Sequence, residues 1–409
     1  MTFQEKLEQY AKLAASVGAN VQKGQYLLIN TSTETLEFTR LVVKAAYEAG
    51  AGRVHVNLTD DFFTRAFYDY GSEKELSTYP SWIKEQREEL IAKKGALLWI
   101  DAEDPDLLAG VPSDKLSAQQ KASGEALKNY RKAVMNDDIA WSIVAVPSKK
   151  WAAKVFPHLT EEEQIPALWD AIFASVRIGE GDVVQLWRNH IEALESRAAL
   201  LNTQQFVELR YTAPGTNLSI QLPKGHIWQS GSSKTPAGTS FIANMPTEEV
   251  FTLPAKYGVN GTVRNTKPLA YRGNVIDDFS LTFKDGKVVE AFARTGNDIL
   301  QALLETDETS GYLGEVALVP HDSPISNSNL LYFNTLFDEN ASNHLAFGAA
   351  YPTCFKGGRD LSEEELEQNG INVSVTHEDF MIGSGEMDID GVKADGTIIP
   401  VFRHGNWAF

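Results

Sequence analysis

Four short runs in the first half of the chain, GQYLLIN (24–30), GRVHVNL (52–58), GALLWID (95–101) and WSIVAVP (141–147), are rich in β-formers and read as near-continuously apolar strands. Strands apolar on both faces need cover on both sides, which is the condition of a parallel sheet between layers of helix. Parallel neighbours cannot be joined by a tight turn, so a crossover must lie between them. TLEFTRLVVKAAYEAG (35–50) has the helical period for that task and ends on Gly50. Residues 1 to about 200 therefore read as an open α/β sheet. No G-x-G-x-x-G or G-x-x-x-x-G-K-[ST] opens any of its helices, so no phosphate cradle is expected there.

The texture changes after a helical stripe of Val183, Leu186, Trp187, Ile191, Leu194, Ala198 and Leu201, which would join the two halves. FVELRYTAPGTNLSIQLP, LTFKDGKVVEAF and GVKADGTIIPVFR alternate apolar and polar residues around Pro-Gly, Asp-Gly and Asp-Gly turns. A helix is expected around NDILQALLET. The expected architecture is α/β plus α+β: an N-terminal open α/β sheet domain over 1–200, then a strand-rich, mainly antiparallel metal-binding domain over 201–409. At 409 residues the chain exceeds one ordinary core.

Charge narrows the partners. A net charge of −18 without any basic run argues against nucleic acid and against an anionic membrane surface. The opening MTFQEKLEQYAKLAASVG is amphipathic and charged throughout, unlike a secretion signal, and no apolar stretch approaches the about 18 residues of a membrane span. Cys354 is the single cysteine, so no internal disulfide or thiolate zinc cluster is available. The expected location is the cytoplasm.

The second half holds six oxygen and nitrogen donors in segments otherwise typical of strand and turn: Glu249, Glu315, Glu339, His344, His377 and Asp379. Four carboxylates and two imidazoles suit two adjacent divalent ions whose remaining positions water fills, which points to a hydrolase. His377 and Asp379 are two apart, so an extended strand projects both from one face; incidental polar residues of a turn are the other reading. Glu339 and His344 are five apart, roughly 140° on a helix, so a shared ion requires a bend between them. Asn340 and Ser342 could cap a short helix following Glu339; alternatively His344 simply packs against such a helix.

Glu315 stands inside the apolar GYLGEVALV and needs a cation unless it lies on a wet edge strand. Glu248 and Glu249 are adjacent and cannot easily serve one ion together. A division of labour is expected, one binding metal and the other carrying protons, with a solvated helix start as the alternative. His55 and His190 read as core or boundary residues and His158 as surface. His226, His321 and His404 could line the same cleft, and Cys354 reads as packing.

The segments NMPTEEVFTLP (244–254), GYLGEVALV (311–319), SPISNSNLLYFNTLFDENASNHLAFGAAY (323–351), THEDFMIG (376–383) and the ending PVFRHGNWAF resemble the motifs of the aminopeptidase T / aminopeptidase S family, the PepS-type or thermophilic-type metalloaminopeptidases. Length and layout agree over the whole chain. The resemblance implies a metalloaminopeptidase whose dinuclear site falls on Glu249, Glu315, Glu339, His344, His377 and Asp379. It places Tyr351 over the site to bond the oxyanion and implies a homodimer. The expected cofactor is two divalent ions per subunit, with mixed His/carboxylate ligation favouring zinc, cobalt or manganese over magnesium. The expected substrates are peptides with a free N-terminus, attacked by a metal-activated water with Glu248 as proton shuttle. Two other readings stay open: a small-metabolite-binding α/β protein with a structural metal, and a dinuclear hydrolase acting on another amide or ester.

Overall fold

The computed structural model describes residues 1–409 apart from 103, 180, 272 and 273, and Ser113 by its backbone alone. The chain divides into two compact units, Met1–Asn189 with Ser232–Pro246, and His190–Gly231 with Thr247–Phe409.

In the first unit the four apolar runs become strands β1 (Tyr26–Ser32), β2 (Arg53–Thr59), β3 (Ala96–Asp101) and β4 (Trp141–Ala145). They pair in parallel in the order β4-β3-β1-β2, with Ile29 beside Leu98 and Leu28 beside His55. The short strand Asn244–Met245 adds to the free edge of β4, also in parallel. That pairing brings Ser232–Pro246 into the first unit, whereas the sequence boundary near 200 assigned these residues to the second half.

Leu27, Leu28, Ile29, Leu97 and Leu98 are all buried, as two-sided cover requires. The helix Leu36–Glu48 supplies part of that cover through Phe38, Val42 and Ala46, four residues apart on one face. Its first neighbour in the chain, the helix Phe3–Leu13, is closed at its start by a reciprocal Thr2–Glu5 capping box. The strand β2 departs from expectation. It lies at the sheet edge, and His55, expected among buried valines, is exposed with its Nε2 at 3.1 Å from Asn57 Oδ1.

The helix Val183–Gln204 follows. Val183, Trp187, Leu194, Ala198 and Leu201 are buried as the stripe predicts, but Leu186 is 39% exposed. At about 100° per residue, Leu186 falls outside the arc the other stripe residues share.

The second unit is strand-rich and antiparallel. Its larger sheet contains the hairpins anticipated from the turns: Ala213 faces Thr216 around Pro214-Gly215, and Lys284 faces Lys287 around Asp285-Gly286. Asp285 and Gly286 have φ of 48° and 86°, the left-handed pair that matches strand twist in a two-residue hairpin. A Cβ on Gly286 would sit 1.8 Å from the Lys256 carbonyl oxygen, so the turn tolerates no side chain there. The expected helix forms over Asn297–Leu304.

The smaller sheet of this unit comprises β5 (Gln229–Ser230), β6 (Val250–Thr252), β7 (Leu313–Leu318), β8 (His344–Gly348) and β9 (His377–Met381), in the order β9-β8-β7-β6-β5. One apolar cluster joins both sheets, including Leu209, Ile220, Val316, Leu345, Phe347 and Phe380. Among the described residues no helix is long and apolar enough to cross a membrane.

Candidate metal centre

Antiparallel partners share a face, so register decides what meets. Across the smaller sheet Phe251 lies beside Ala317, Ala317 beside His344, and His344 beside Met381. One row on, Glu315 lies beside Ala346 and Ala346 beside Asp379; in the next row Gly348 lies beside His377. Every donor in these strands therefore projects from one face, with Ala317, Ala346 and Gly348 leaving room between them. The residues of opposite parity, Val316, Leu345, Phe347 and Phe380, enter the apolar cluster behind.

The register shifts between Leu313 and Glu315. Gly314 sits at this bulge, and a Cβ there would lie 2.2 Å from the Ala349 carbonyl oxygen. Glu315 keeps the regular register of Val316 and Ala317 and so lies opposite Ala346 on the donor face, while the bulge turns Leu313, opposite Phe347, into the apolar cluster behind. The strand β7 is central and buried along its length, which removes the edge-strand reading of Glu315.

Two three-donor groups result: Glu249 with Glu315 and His344, and Glu315 with His377 and Asp379, the donor atoms of each lying within 4.8 Å of one another. Glu315 belongs to both. Its Oε1 is 3.6 Å from His344 Nε2 and its Oε2 is 3.7 Å from His377 Nε2. Glu249 Oε2 lies 3.1 Å from His344 Nε2, and Asp379 Oδ1 lies 3.7 Å from His377 Nε2.

Both imidazoles are oriented from behind. His344 Nδ1 is 3.1 Å from the Ser342 carbonyl oxygen and His377 Nδ1 is 2.7 Å from that of Ala349. A carbonyl only accepts, so each Nδ1 carries a proton, and each Nε2 is the ring nitrogen turned to the donor face.

Glu339 is buried beside these groups but belongs to neither; its Oε1 accepts from Asn340 Nδ2 at 3.2 Å. The bend anticipated between Glu339 and His344 is present, though as a 3-10 turn over Glu339–Ala341 rather than a helix capped by Asn340 or Ser342. The helical turn Thr335–Asp338 precedes it, capped by Asn334, and Ser342 is fully extended. The reason is that His344–Gly348 is committed to ladders on both sides, which leaves no backbone for a helix.

Glu248 and Glu249 diverge. Glu249 joins the donor group, whereas Glu248 Oε2 lies 3.7 Å from His190 Nε2. His190, read from sequence as a boundary residue, also places Nε2 at 2.7 Å from the Thr247 carbonyl oxygen. Residues 57 positions apart meet here, and no local pattern encodes that.

Tyr351 follows β8, and its ring centroid is 5.0 Å from that of His377 and 6.0 Å from that of Phe251, edge-on to both. His226, His321 and His404 belong to neither donor group. His226 is buried with Nδ1 on the Pro223 carbonyl oxygen. His158 is exposed, and Cys354 is buried with a free thiol.

The electrostatics describe a cluster in need of cations. Burial pushes the Glu315 carboxyl up to about 7, against a proton-bearing contact with His344 and with the help of Asp379 and Glu249. Glu339 is raised well above the carboxylate range by burial, then by Asp379 and Glu249. Burial disfavours the charged His344 ring, yet Glu249 and Glu315 outweigh it and hold the imidazole well above its usual range. Burial, then the same carboxylates, keeps the Tyr351 phenol protonated and able to donate.

Among the described residues no Lys or Arg pairs with Glu249, Glu315, Glu339 or Asp379. Asp379 Oδ1 is buried without a hydrogen-bond partner, and His344 Nε2 faces the crowded carboxylates of Glu249 and Glu315. A buried donor set of this kind fits a divalent ion, which satisfies lone pairs and charge together.

Comparison with known proteins agrees with this chemistry. Residues 3–407 match the family described as thermophilic metalloprotease (M29). The chain is 51% identical over 408 residues to aminopeptidase AmpS of Bacillus subtilis, covering 100% of each, and 48% identical over 407 residues to aminopeptidase 2 of Geobacillus stearothermophilus, covering 100% of this chain and 98% of that one. The solved structure of wild-type AmpT from Thermus thermophilus superposes with a TM-score of 0.93 at 39% identity, covering 100% of both chains. A buried carboxylate–imidazole face on an antiparallel sheet and full-length similarity of this strength lead to one conclusion: the chain belongs to the thermophilic metalloprotease (M29) family.

Proposed function

We propose that this protein is a metal-dependent aminopeptidase that releases N-terminal residues from peptides, and that it holds two divalent ions. The observation that carries the second point is Glu315, which turns one carboxylate oxygen to each of two imidazoles and so stands between two donor groups. In this reading Glu249 and His344 serve one side, His377 and Asp379 the other, Glu315 both, and Glu339 completes the ligand set.

The ions would supply Lewis acidity, polarising the scissile carbonyl and acidifying a water. The chain's own residues do the rest. Glu248, next in the chain to Glu249 and 3.7 Å from His190 Nε2, accepts the proton of the attacking water and returns it to the leaving amine. The Tyr351 phenol, held protonated next to His377, donates to the developing oxyanion. Strands β6 to β9 fix the donors on a rigid sheet, and the His344 and His377 rings are locked by carbonyls behind them.

Mixed imidazole and carboxylate ligation favours zinc, cobalt or manganese over magnesium. The family resemblance further supports a homodimer, and the free Cys354 is in keeping with a cytoplasmic location.

A panel of aminoacyl-p-nitroanilides and their N-acetylated analogues tests the activity. Cleavage of free ends only, abolished by chelation and restored by added metal with the fold intact throughout, is the expected result. Equal cleavage of the blocked analogues would replace the aminopeptidase reading by a general amidase, and loss of fold on chelation with no cleavage would make the metal structural. For the proton role, Glu248→Gln should lower kcat by about 10²–10⁴-fold with metal content unchanged. Near-normal turnover of that variant removes Glu248 from the mechanism.

A further inference from the structure

Glu248 and Glu339 lie on different segments, yet a single buried side chain touches both. Asn340 has no exposed surface. Its Oδ1 accepts from the Glu248 backbone N–H at 2.7 Å, and its Nδ2 donates to the Leu336 carbonyl oxygen at 3.1 Å and to Glu339 Oε1 at 3.2 Å. The orientation of the amide is decided by these partners. Rotated by half a turn, it would set Nδ2 against the Glu248 N–H and Oδ1 against a carbonyl and a carboxylate, three repulsive contacts in place of three bonds.

The first of these bonds acts at the point where the chain separates Glu248 from Glu249. Glu249 must reach His344 Nε2 at 3.1 Å while Glu248 turns to within 3.7 Å of His190. Fixing the Glu248 N–H fixes the peptide plane between Thr247 and Glu248, and with it the direction from which the Glu248 side chain leaves. His190 Nε2 on the Thr247 carbonyl oxygen secures the other side of that same plane. The remaining bonds act on Glu339: one holds its carboxylate, and the other ties the amide to the helical turn that carries it.

We propose that Asn340 is a positioning residue, a brace that sets the proton-carrying Glu248 and the ligand carboxylate Glu339 in fixed relation through one buried amide. This rests on the roles given to those two residues above. Removing the brace affects both: Glu248 loses its alignment with the substrate, and Glu339 gains rotamers that do not face the donor groups. Partners of this kind, one bond removed from a metal ligand, typically change affinity or activity by about 10–100-fold when deleted.

The test is Asn340→Ala in the full-length chain, measured three ways: kcat and KM on an aminoacyl-p-nitroanilide, metal retained per chain against graded chelator, and thermal unfolding. The expected result is a fall in kcat of about 10–100-fold with KM within about threefold, and half-loss of metal at about tenfold less chelator. A folded variant whose kcat and metal retention both stay within about twofold of the unsubstituted chain overturns the proposal, even if it melts earlier, because a merely structural amide would behave that way. Loss of one property without the other also overturns it, since the brace acts on both carboxylates. If Asn340→Ala does not fold, Asn340→Ser carries the same measurements with a smaller polar loss. Should the metal-loaded parent cleave no peptide bond at all, the aminopeptidase reading fails, while the metal-retention comparison still decides the role of Asn340.

Discussion

In the parallel sheet of the first unit, neighbouring positions Leu27, Leu28 and Ile29, and again Leu97 and Leu98, are all apolar and buried. In the smaller antiparallel sheet of the second unit, burial is as complete along β7 and β8, but only alternate residues are apolar and bulky. The other positions are Glu315, His344 and the small residues Ala317, Ala346 and Gly348, with Asp379 beside Ala346 on β9. These stretches of both sheets are buried. Only the second turns one face into a chemical surface, and it can because its opposite face alone carries the packing through Val316, Leu345, Phe347 and Phe380. A two-sided apolar strand has no such face to spare.

The contrast between the two faces can be broken by substitution. Glu315→Ala should have the largest effect, because this carboxylate belongs to both donor groups. Metal content should fall towards zero and activity by on the order of 10³-fold, the equivalent of several kcal/mol of lost charge stabilisation. A variant that still holds its full metal complement would show that the donor face does not bind through Glu315.

Phe347→Ala probes the opposite face at the neighbouring position. Phe347 is fully buried and its ring stacks on that of Phe380 with centroids 4.4 Å apart. Truncation should destabilise the fold by about 3–5 kcal/mol, read by denaturant unfolding, while metal stoichiometry in the folded fraction is unchanged. Metal loss without a stability change would reverse the roles assigned to the two faces.

The smallest expected effect concerns how the outer strand of the donor face is tied in. Asp307, ahead of β7, accepts from Thr309 N and Oγ1 at 2.7 Å each, from Ser374 Oγ at 2.7 Å and from Val375 N at 2.8 Å, just before β9. Burial opposes its charge, but the bonds from Val375, Ser374 and Thr309 prevail and hold the carboxyl well below its usual range. A depressed folded-state pKa means that the stabilisation is present above the ordinary value of 3.8 and is lost as pH falls through the folded one. Asp307→Asn should therefore cost about 1–3 kcal/mol near neutral pH, with the gap to the unsubstituted chain closing below about pH 4. A gap that stays constant from pH 7 to pH 3 would mean the charge is not what matters.

Much of the architecture was legible because its signals are local. The continuous apolar runs of β1 and β3, the helix closed by Gly50 and the Asp285-Gly286 turn each follow from neighbouring residues. The shared face of His377 and Asp379 was legible for the same reason, since a strand repeats every two residues. The misreadings have a common origin in what lies alongside. His55 is exposed because β2 has a neighbour on one side only, and Ser232–Pro246 leaves the second half because Asn244–Met245 finds β4. The helix expected after Glu339 gave way to ladder pairing. His190 was passed over because its partner lies 57 residues away.

The identity and parity of the donors were written in the chain itself: which residues can bind an ion, and that small ones alternate with them, are properties of positions two apart. Their convergence was not. Glu249 and His344 meet only through the pairing of β6 with β7 and of β7 with β8, and Glu315 reaches Asp379 only through Ala346 of the strand between them. Strand pairing is a relation between distant segments, fixed by the burial of one whole face at once, so tertiary structure alone decided which oxygens and nitrogens share a site.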